Sequence, residues 1–145
     1  MNHNNDVTLG YTLLRITLGI NIAGHGISRI LAGQSHFAAA LVKQFDSTPL
    51  PHFAVAGFAY ALPWMEALVG LAVLLGAATR IALVAGALLI VALTFGSTLH
   101  QDWDVAGLQL IYAAVYFALL ALRQYNLFSV DRVLSIAKNP SAKNS

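Results

Sequence analysis

Apolar residues form four long stretches in this chain, and short polar breaks separate them. Each stretch holds about 20 residues, the length that an α-helix needs to cross the hydrocarbon core of a bilayer. The stretches are 9–31, 53–75, 80–99 and 105–122. The pattern therefore predicts four transmembrane helices and an all-α fold.

The breaks between the last three stretches are short enough for tight hairpins. Gly76 is suited to end one helix, and Thr79 is suited to cap the next. Asp104 is a candidate N-cap for the last stretch, following Asp102 and Trp103. Short connections between helices favour an antiparallel four-helix bundle.

The first connection, about 33–52, is the only long one. Within it Phe37, Leu41 and Phe45 recur every four residues, which predicts a short amphipathic helix over 36–45. A helix of this kind lies flat on the membrane surface, or it covers the mouth of the bundle as a lid. The sequence leaves both placements open.

The composition agrees with a membrane protein. The chain is 58% hydrophobic and 10% charged, with a mean hydropathy of +0.70, whereas soluble domains carry roughly 25% charged residues. We therefore expect one integral membrane domain over residues 1–145. The chain has no cysteine, which excludes disulfides and thiolate chemistry of its own. The small positive net charge reflects topology and does not indicate binding to nucleic acid.

Basic residues are unevenly distributed between the two ends of the predicted bundle. Arg29 and Lys43 fall at one end. The other end carries Arg15, Arg80, Arg123, Arg132, Lys138 and Lys143. Because basic residues are retained on the cytoplasmic side, both termini and a tail over 123–145 are expected to be cytoplasmic, in a cell (inner) membrane.

Polar side chains interrupt the apolar stretches at several positions. Asn21, His25 and Arg29 recur every four residues and predict a polar row along the first helix. Because a cation inside a bilayer is costly without a partner, this row is expected to face protein or water. The candidate partners are His100, Gln109 and Tyr112, expected in the outer half of the bundle, and Glu66, expected near mid-depth.

Several of these residues also have a purely structural interpretation. Arg29 is long enough to reach the lipid headgroups, and His100 could be an interfacial residue. Gln109 could form a hydrogen bond between helices. Arg15 and Glu66 could form a buried ion pair that orients the first two spans.

Familiar catalytic motifs are missing from the sequence. It contains no glycine-rich phosphate loop, no HExxH motif and no Ser/His/Asp set. His25 and His100 fall on different helices at similar depth, as two haem or copper ligands would. Neither has a neighbouring carboxylate unless Glu66 supplies one, so the sequence predicts neither haem nor a metal site.

Three segments carry motifs that are informative together. They are Leu14-Arg15, Gly19, His25-Gly26 and Arg29 in the first helix, Glu66, Gly70, Gly76 and Thr79-Arg80 across the second helix and its hairpin, and Asn126-Leu127-Phe128-Ser129-Val130-Asp131 after the fourth. This combination resembles the DoxX family of small four-helix membrane proteins. Two positions depart from the family pattern: Arg29 stands where a lysine is common, and Gln109 where a carboxylate is frequent.

The resemblance implies a role in redox complexes, because relatives include the DoxD-type subunit of thiosulfate:quinone oxidoreductase. Our leading hypothesis is a quinone-interacting subunit of a membrane oxidoreductase, with quinone as its cofactor and a further subunit as its redox partner. Whether the chain is itself an enzyme stays open. The catalytic candidates are His25, Glu66 and His100, and the candidates for quinone binding are Asn21, Arg29, Trp64, Gln109 and Tyr112.

Two other functions are compatible with the sequence. The chain could be a non-catalytic membrane anchor that docks an oxidoreductase partner. It could also be a small-solute transporter, although four helices give little room for alternating access unless the chain forms homo-oligomers.

Overall fold

A computed structural model describes residues 3–138 of the chain. The described part is built from helices, with no strand, which confirms the predicted all-α membrane bundle. Four of the helices are long and apolar enough to cross a membrane. Lys143 and the last part of the predicted tail, 139–145, lie outside the described residues.

The helices follow the predicted stretches closely, with small differences at their ends. α1 begins at His3, before the predicted start at Leu9. The elements are α1 (His3–Leu31), α2 (Gln34–Gln44), α3 (His52–Leu75), α4 (Thr79–Leu99), α5 (Trp103–Ala121), a 3₁₀ turn (Arg123–Tyr125) and α6 (Val130–Lys138). α6 is an element that the sequence pattern did not predict.

The four long helices form an antiparallel bundle in which α1 packs most extensively on α3, and α4 on α5. The core lies where these two pairs meet, and its largest fully buried side chain is Tyr116. We call the end of the bundle where α1 begins and α5 ends the terminal end. The opposite end, which α2 covers, is the α2 end.

Glycines bring α1 and α3 close together. A methyl group at Gly26 would collide with the backbone of Pro63 and Ala67, and one at Gly70 would collide with the backbone of Ala23. Small residues permit this approach in membranes, where packing and not water exclusion holds helices together. The close contact fixes where α1 places its polar side chains relative to α3.

At the terminal end, Arg15 closes the end of α3. Its guanidinium is buried and donates hydrogen bonds to the carbonyl oxygens of Val73 and Leu74, each at 2.6 Å, and of Phe128 at 2.8 Å. Val73 and Leu74 lie in the last turn of α3, where carbonyl oxygens lack the usual partner four residues on and the end of the helix attracts a cation; the Val73 carbonyl also accepts from the N–H of Gly76 at 3.1 Å. Arg15 therefore joins α1, the end of α3 and the tail.

The tail caps α4 through Asp131. Its carboxylate accepts hydrogen bonds from the backbone N–H groups of Ala78 and Thr79, both at 2.7 Å. The predicted capping role of Thr79 was wrong, because Ala78 occupies the N-cap position with no side-chain cap of its own. Instead the Thr79 hydroxyl accepts a hydrogen bond from the Asn126 amide at 2.9 Å.

The hydrogen bonds that Asp131 makes as a cap change its acidity. Burial raises the pKa of this carboxyl. The hydrogen bonds from Thr79 and Ala78, together with the positive charge of Arg123, outweigh that effect, so the pKa falls below its ordinary value of 3.8.

Asp102 caps α5, with its carboxylate accepting from the N–H of Val105 at 3.1 Å. The prediction of Asp104 as the cap was wrong by two positions, because the chain makes its turn earlier. Gln101 takes the left-handed conformation with φ 59°, and the helix therefore starts at Trp103.

α2 packs against α3 at the bundle mouth. Ala38 of α2 is buried, and the Gln34 amide donates a hydrogen bond to the Tyr60 carbonyl of α3. Of the two placements that the sequence left open, the structure has the one over the mouth.

Candidate ligand cavity beneath helix α2

A cavity of about 450 Å³ lies at the α2 end of the bundle. Its walls come from α1, α2, α3, α4 and α5 and from the connection before α3. Most of the lining is apolar, including the aromatic rings of Phe37, Phe45, Phe58 and Phe95. A concave apolar site of this size with a few polar groups is typical of small-molecule binding.

Two charged residues line the cavity: Asp102, whose carboxylate caps α5, and Arg29, which forms an ion pair with Glu66 of α3. The Glu66 side chain is 5% exposed and that of Arg29 is 29% exposed. The guanidinium carbon of Arg29 also lies 4.9 Å from the ring centre of Phe37, a cation–π contact with α2. Arg29 is thus held from two sides, and the buried carboxylate compensates its charge.

Gln109 supplies an amide on the α5 side. Its Nε2 donates to the Ser97 hydroxyl at 3.1 Å, and its Oε1 is buried with no hydrogen-bond partner among the described residues. A buried polar atom without a partner costs free energy. A ligand that donates a hydrogen bond here would remove this cost.

His100 lies at the rim, where α4 ends. Its imidazole stacks on the ring of Phe45, with ring centres 5.9 Å apart and the planes inclined by 25°. Both residues line the cavity. This stack joins the end of α2 to the end of α4 across the mouth.

Four of the eight predicted site residues gather here. Arg29, His100 and Gln109 line the cavity, and Glu66 is paired with Arg29. The other four do not line it. Asn21 and Tyr112 bond to each other at 2.9 Å between α1 and α5, while the side chains of His25 and Trp64 are exposed on the outside of the bundle.

The predicted polar row separates because of helix geometry. Four residues turn the helix by about 40° more than one full turn, so Arg29 is rotated by about 80° from Asn21. Arg29 consequently reaches the buried side facing α3, whereas Asn21 and His25 remain on an exposed side. The expectation that His25 would meet Glu66 and His100 in one chamber was wrong.

The predicted ion pair between Arg15 and Glu66 was also wrong. Glu66 pairs with Arg29, and Arg15 bonds to carbonyl oxygens at the end of α3. In the antiparallel pair of α1 and α3, Gly26 packs beside Pro63 and Ala67, and Gly19 beside Leu74. This register places Arg29, not Arg15, opposite Glu66.

The sequence of the chain matches a protein-family model. A model described as DoxX matches residues 10–101, well over half of the chain. The chain belongs to the DoxX family. The matched region contains the Arg29–Glu66 pair and His100, whereas Gln109 and the tail lie beyond it. For this DoxX-family protein, searches of curated proteins and of solved structures gave no match.

Sequence reasoning missed the aromatic lining and Ser97. The helical spacing of Phe37 and Phe45 was visible, but their role as cavity walls depended on which way α2 faces. Ser97 lies twelve residues before its partner Gln109, and no local pattern links the two. Among residues 3–138, no three His, Asp or Glu side chains cluster as a metal site would require.

Proposed function

We propose that this DoxX-family protein is a quinone-interacting membrane subunit of an oxidoreductase, and that the quinone headgroup binds in the cavity beneath α2. One observation carries the proposal. An apolar, aromatic-lined cavity within the bundle holds a paired arginine on one side and an amide with a free acceptor on the other.

The polar groups of the cavity suit the two oxygen atoms at opposite ends of a quinone ring. The Arg29 guanidinium carries several N–H donors, of which the bond to Glu66 uses one, so a carbonyl oxygen can accept from another. The Gln109 Oε1 can accept from a hydroxyl, as the reduced ligand provides. Phenylalanine rings enclose the apolar part of the ring between these ends.

Reduction of a quinone consumes two electrons and two protons, and the chain offers groups for the protons. His100 lies at the rim of the cavity, and the two ring nitrogens of an imidazole can donate and accept protons. Glu66 lies behind Arg29 and holds it in place. The chain has no cysteine, so we expect the electrons to arrive from a donor or a partner subunit.

Matched variants test this proposal by the binding of a short-tailed quinone to protein in lipid nanodiscs. Gln109→Leu and His100→Ala should each weaken binding about fivefold, the loss of roughly one hydrogen bond or aromatic contact. His25→Ala should leave the dissociation constant unchanged, because His25 is exposed on the outside of the bundle. Equal weakening by His25→Ala and His100→Ala would contradict the proposed location.

A second function, that of a membrane anchor for a redox partner, is favoured by a different observation. α1 exposes Thr17, Asn21, His25 and Ser28 within a membrane-spanning helix. Polar side chains in a bilayer usually face protein, and a helix of a partner subunit could cover this side. Copurification from native membranes that is lost on His25→Leu and kept on His100→Ala would support the anchor.

The proposed location is the cell (inner) membrane, with both termini cytoplasmic and the cavity near the outer surface. The uneven distribution of basic residues supports this orientation. Because the chain lacks cysteine, single cysteines at Ser47 and Ala137 can report it. An impermeant maleimide should label the first from outside the cell and the second only after lysis.

A further inference from the structure

A second cavity, also of about 450 Å³, lies at the terminal end between the end of α5 and α6. It is separate from the cavity beneath α2 and shares no lining residue with it. Its walls are polar and include Arg123, Arg132, Gln124, Asn126 and Ser135.

The cavity has an excess of positive charge. The carboxylate in its wall, Asp131, uses one oxygen for the N–H of Ala78 and the other for that of Thr79. Within the described part of the chain, neither Arg123 nor Arg132 has an ion-pair partner. Two guanidinium groups can therefore bind an anion that the protein itself does not provide.

The surroundings of this cavity are those of a bilayer surface. Arg123 comes two residues after α5 ends at Ala121, the level at which lipid headgroups meet a spanning helix. On α6, Asp131, Arg132 and Ser135 line the cavity, whereas Val133 and Leu134 on another side are 66% and 54% exposed. A short helix with one polar and one apolar side lies at the interface with its apolar side in the lipid.

We infer that this cavity binds the headgroup of an anionic phospholipid. Arg123 and Arg132 hold the phosphate, for which guanidinium is the best-matched side chain. Leu120, which lines the cavity and is 38% exposed, gives the acyl chains an apolar surface to follow. A soluble phosphate compound would gain nothing from that surface, which is why we assign the site to a lipid.

The bound lipid would also support the fold. The same segment of tail caps α4 through Asp131 and accepts the hydrogen bond from Arg15 through Phe128. A headgroup between α5 and α6 would therefore hold the tail against the α3–α4 hairpin. We expect the full chain to be more resistant to heat when this lipid is present.

The test compares two double variants of the full chain in detergent, with added phosphatidylglycerol or phosphatidylcholine. Arg123→Gln with Arg132→Gln removes the two cavity cations. Arg80→Gln with Lys138→Gln removes two exposed cations of the same end that do not line the cavity. Native mass spectrometry measures lipid retained per chain, and a thermal scan measures the stabilisation.

The unaltered protein should retain one phosphatidylglycerol in preference to phosphatidylcholine, and the cavity variant should lose at least about tenfold more affinity than the control variant. Equal losses would show general attraction to an anionic surface and would overturn the site. So would equal stabilisation by glycerol phosphate, which would indicate a soluble anion. A double cavity variant that fails to fold even in phosphatidylglycerol bilayers is replaced by the single Arg132→Gln variant, which alters one exposed side chain of the cavity wall and for which weakened retention is required.

Discussion

At the residue scale, the pairing of Arg29 with Glu66 is the decisive feature of the α2 end. The carboxylate is buried and the guanidinium faces the cavity, with the ring of Phe37 beside it. A buried ion pair adds less to stability than its charges suggest, but the loss of one partner leaves the other uncompensated. The pair is therefore best understood as a device that holds a cation at the cavity wall.

A double-mutant cycle on this pair should reveal strong coupling. We expect Arg29→Met and Glu66→Gln each to destabilise the protein, and the double variant to recover part of the loss, with a coupling energy of about 2 kcal/mol. Reversible unfolding in mixed micelles measures these free energies. Additive losses, with coupling below about 0.5 kcal/mol, would show that the two side chains do not act as a pair.

The residue scale is also where the sequence was least informative. It identified Arg29, Glu66, His100 and Gln109 as intramembrane polar residues, and these four do gather. The sequence could not show that His25 lies outside the site. Residues four apart on a helix are rotated by about 40° from one another, so the side chain that faces α3 depends on how α1 is turned. That orientation is set by Gly26, which lies against the backbone of Pro63 and Ala67.

At the element scale, the α1–α3 contact depends on individual glycines. Gly26→Ala should destabilise the protein by about 2 kcal/mol or more, because the added methyl group meets backbone atoms that cannot move aside. Gly24→Ala is the matched control, since no atom lies within 4 Å of the place that its methyl group would take and alanine favours a helix by about 1 kcal/mol. Unfolding midpoints in micelles compare the two.

Equal effects of these two substitutions would show that α1 does not approach α3 as closely as the structure has it. The same two substitutions also test quinone binding. Because Gly26 sets the register that brings Arg29 to Glu66, quinone binding should weaken in Gly26→Ala and persist in Gly24→Ala.

The cap that the tail provides for α4 predicts a dependence of stability on pH. The pKa of Asp131 is lower in the folded protein than its ordinary value of 3.8. Its contribution to stability is therefore complete above that value and is lost as the pH falls through the lowered pKa of the folded state. In Asp131→Asn this part of the acid sensitivity should disappear.

The difference in unfolding free energy between the unaltered protein and Asp131→Asn, followed from pH 7 to about pH 3, measures this effect. Asp104→Asn serves as the control, because Asp104 is exposed at the start of α5. A difference that stays constant as the pH falls would contradict the capping role of the carboxylate.

The elements themselves were largely predictable, and the exceptions have a physical cause. Long apolar stretches predict spanning helices because the bilayer sets their length. α6 was missed because it is short and its role depends on Asp131 reaching the start of α4, more than fifty residues earlier in the chain. When the capping residue of a helix is so distant in the chain, the sequence next to the helix gives no sign of it.

At the scale of the whole molecule, the bundle has two ends with different chemistry. The α2 end holds an apolar cavity with one compensated cation, and the terminal end holds a polar cavity with two cations that have no ion-pair partner among the described residues. Between them lies a tightly packed core around Tyr116 and Leu119. The fold and the family could be predicted from the sequence. The positions of the two cavities could not, because they depend on how the helices pack against one another.

The central claim is that the ligand site lies beneath α2 and not along the exposed side of α1. Photolabelling with an azido-quinone, followed by peptide mapping, tests it most directly. The account predicts adducts within 37–45 and 93–109 that excess unlabelled quinone prevents. Adducts concentrated on 21–28, or labelling that unlabelled quinone does not reduce, would contradict it.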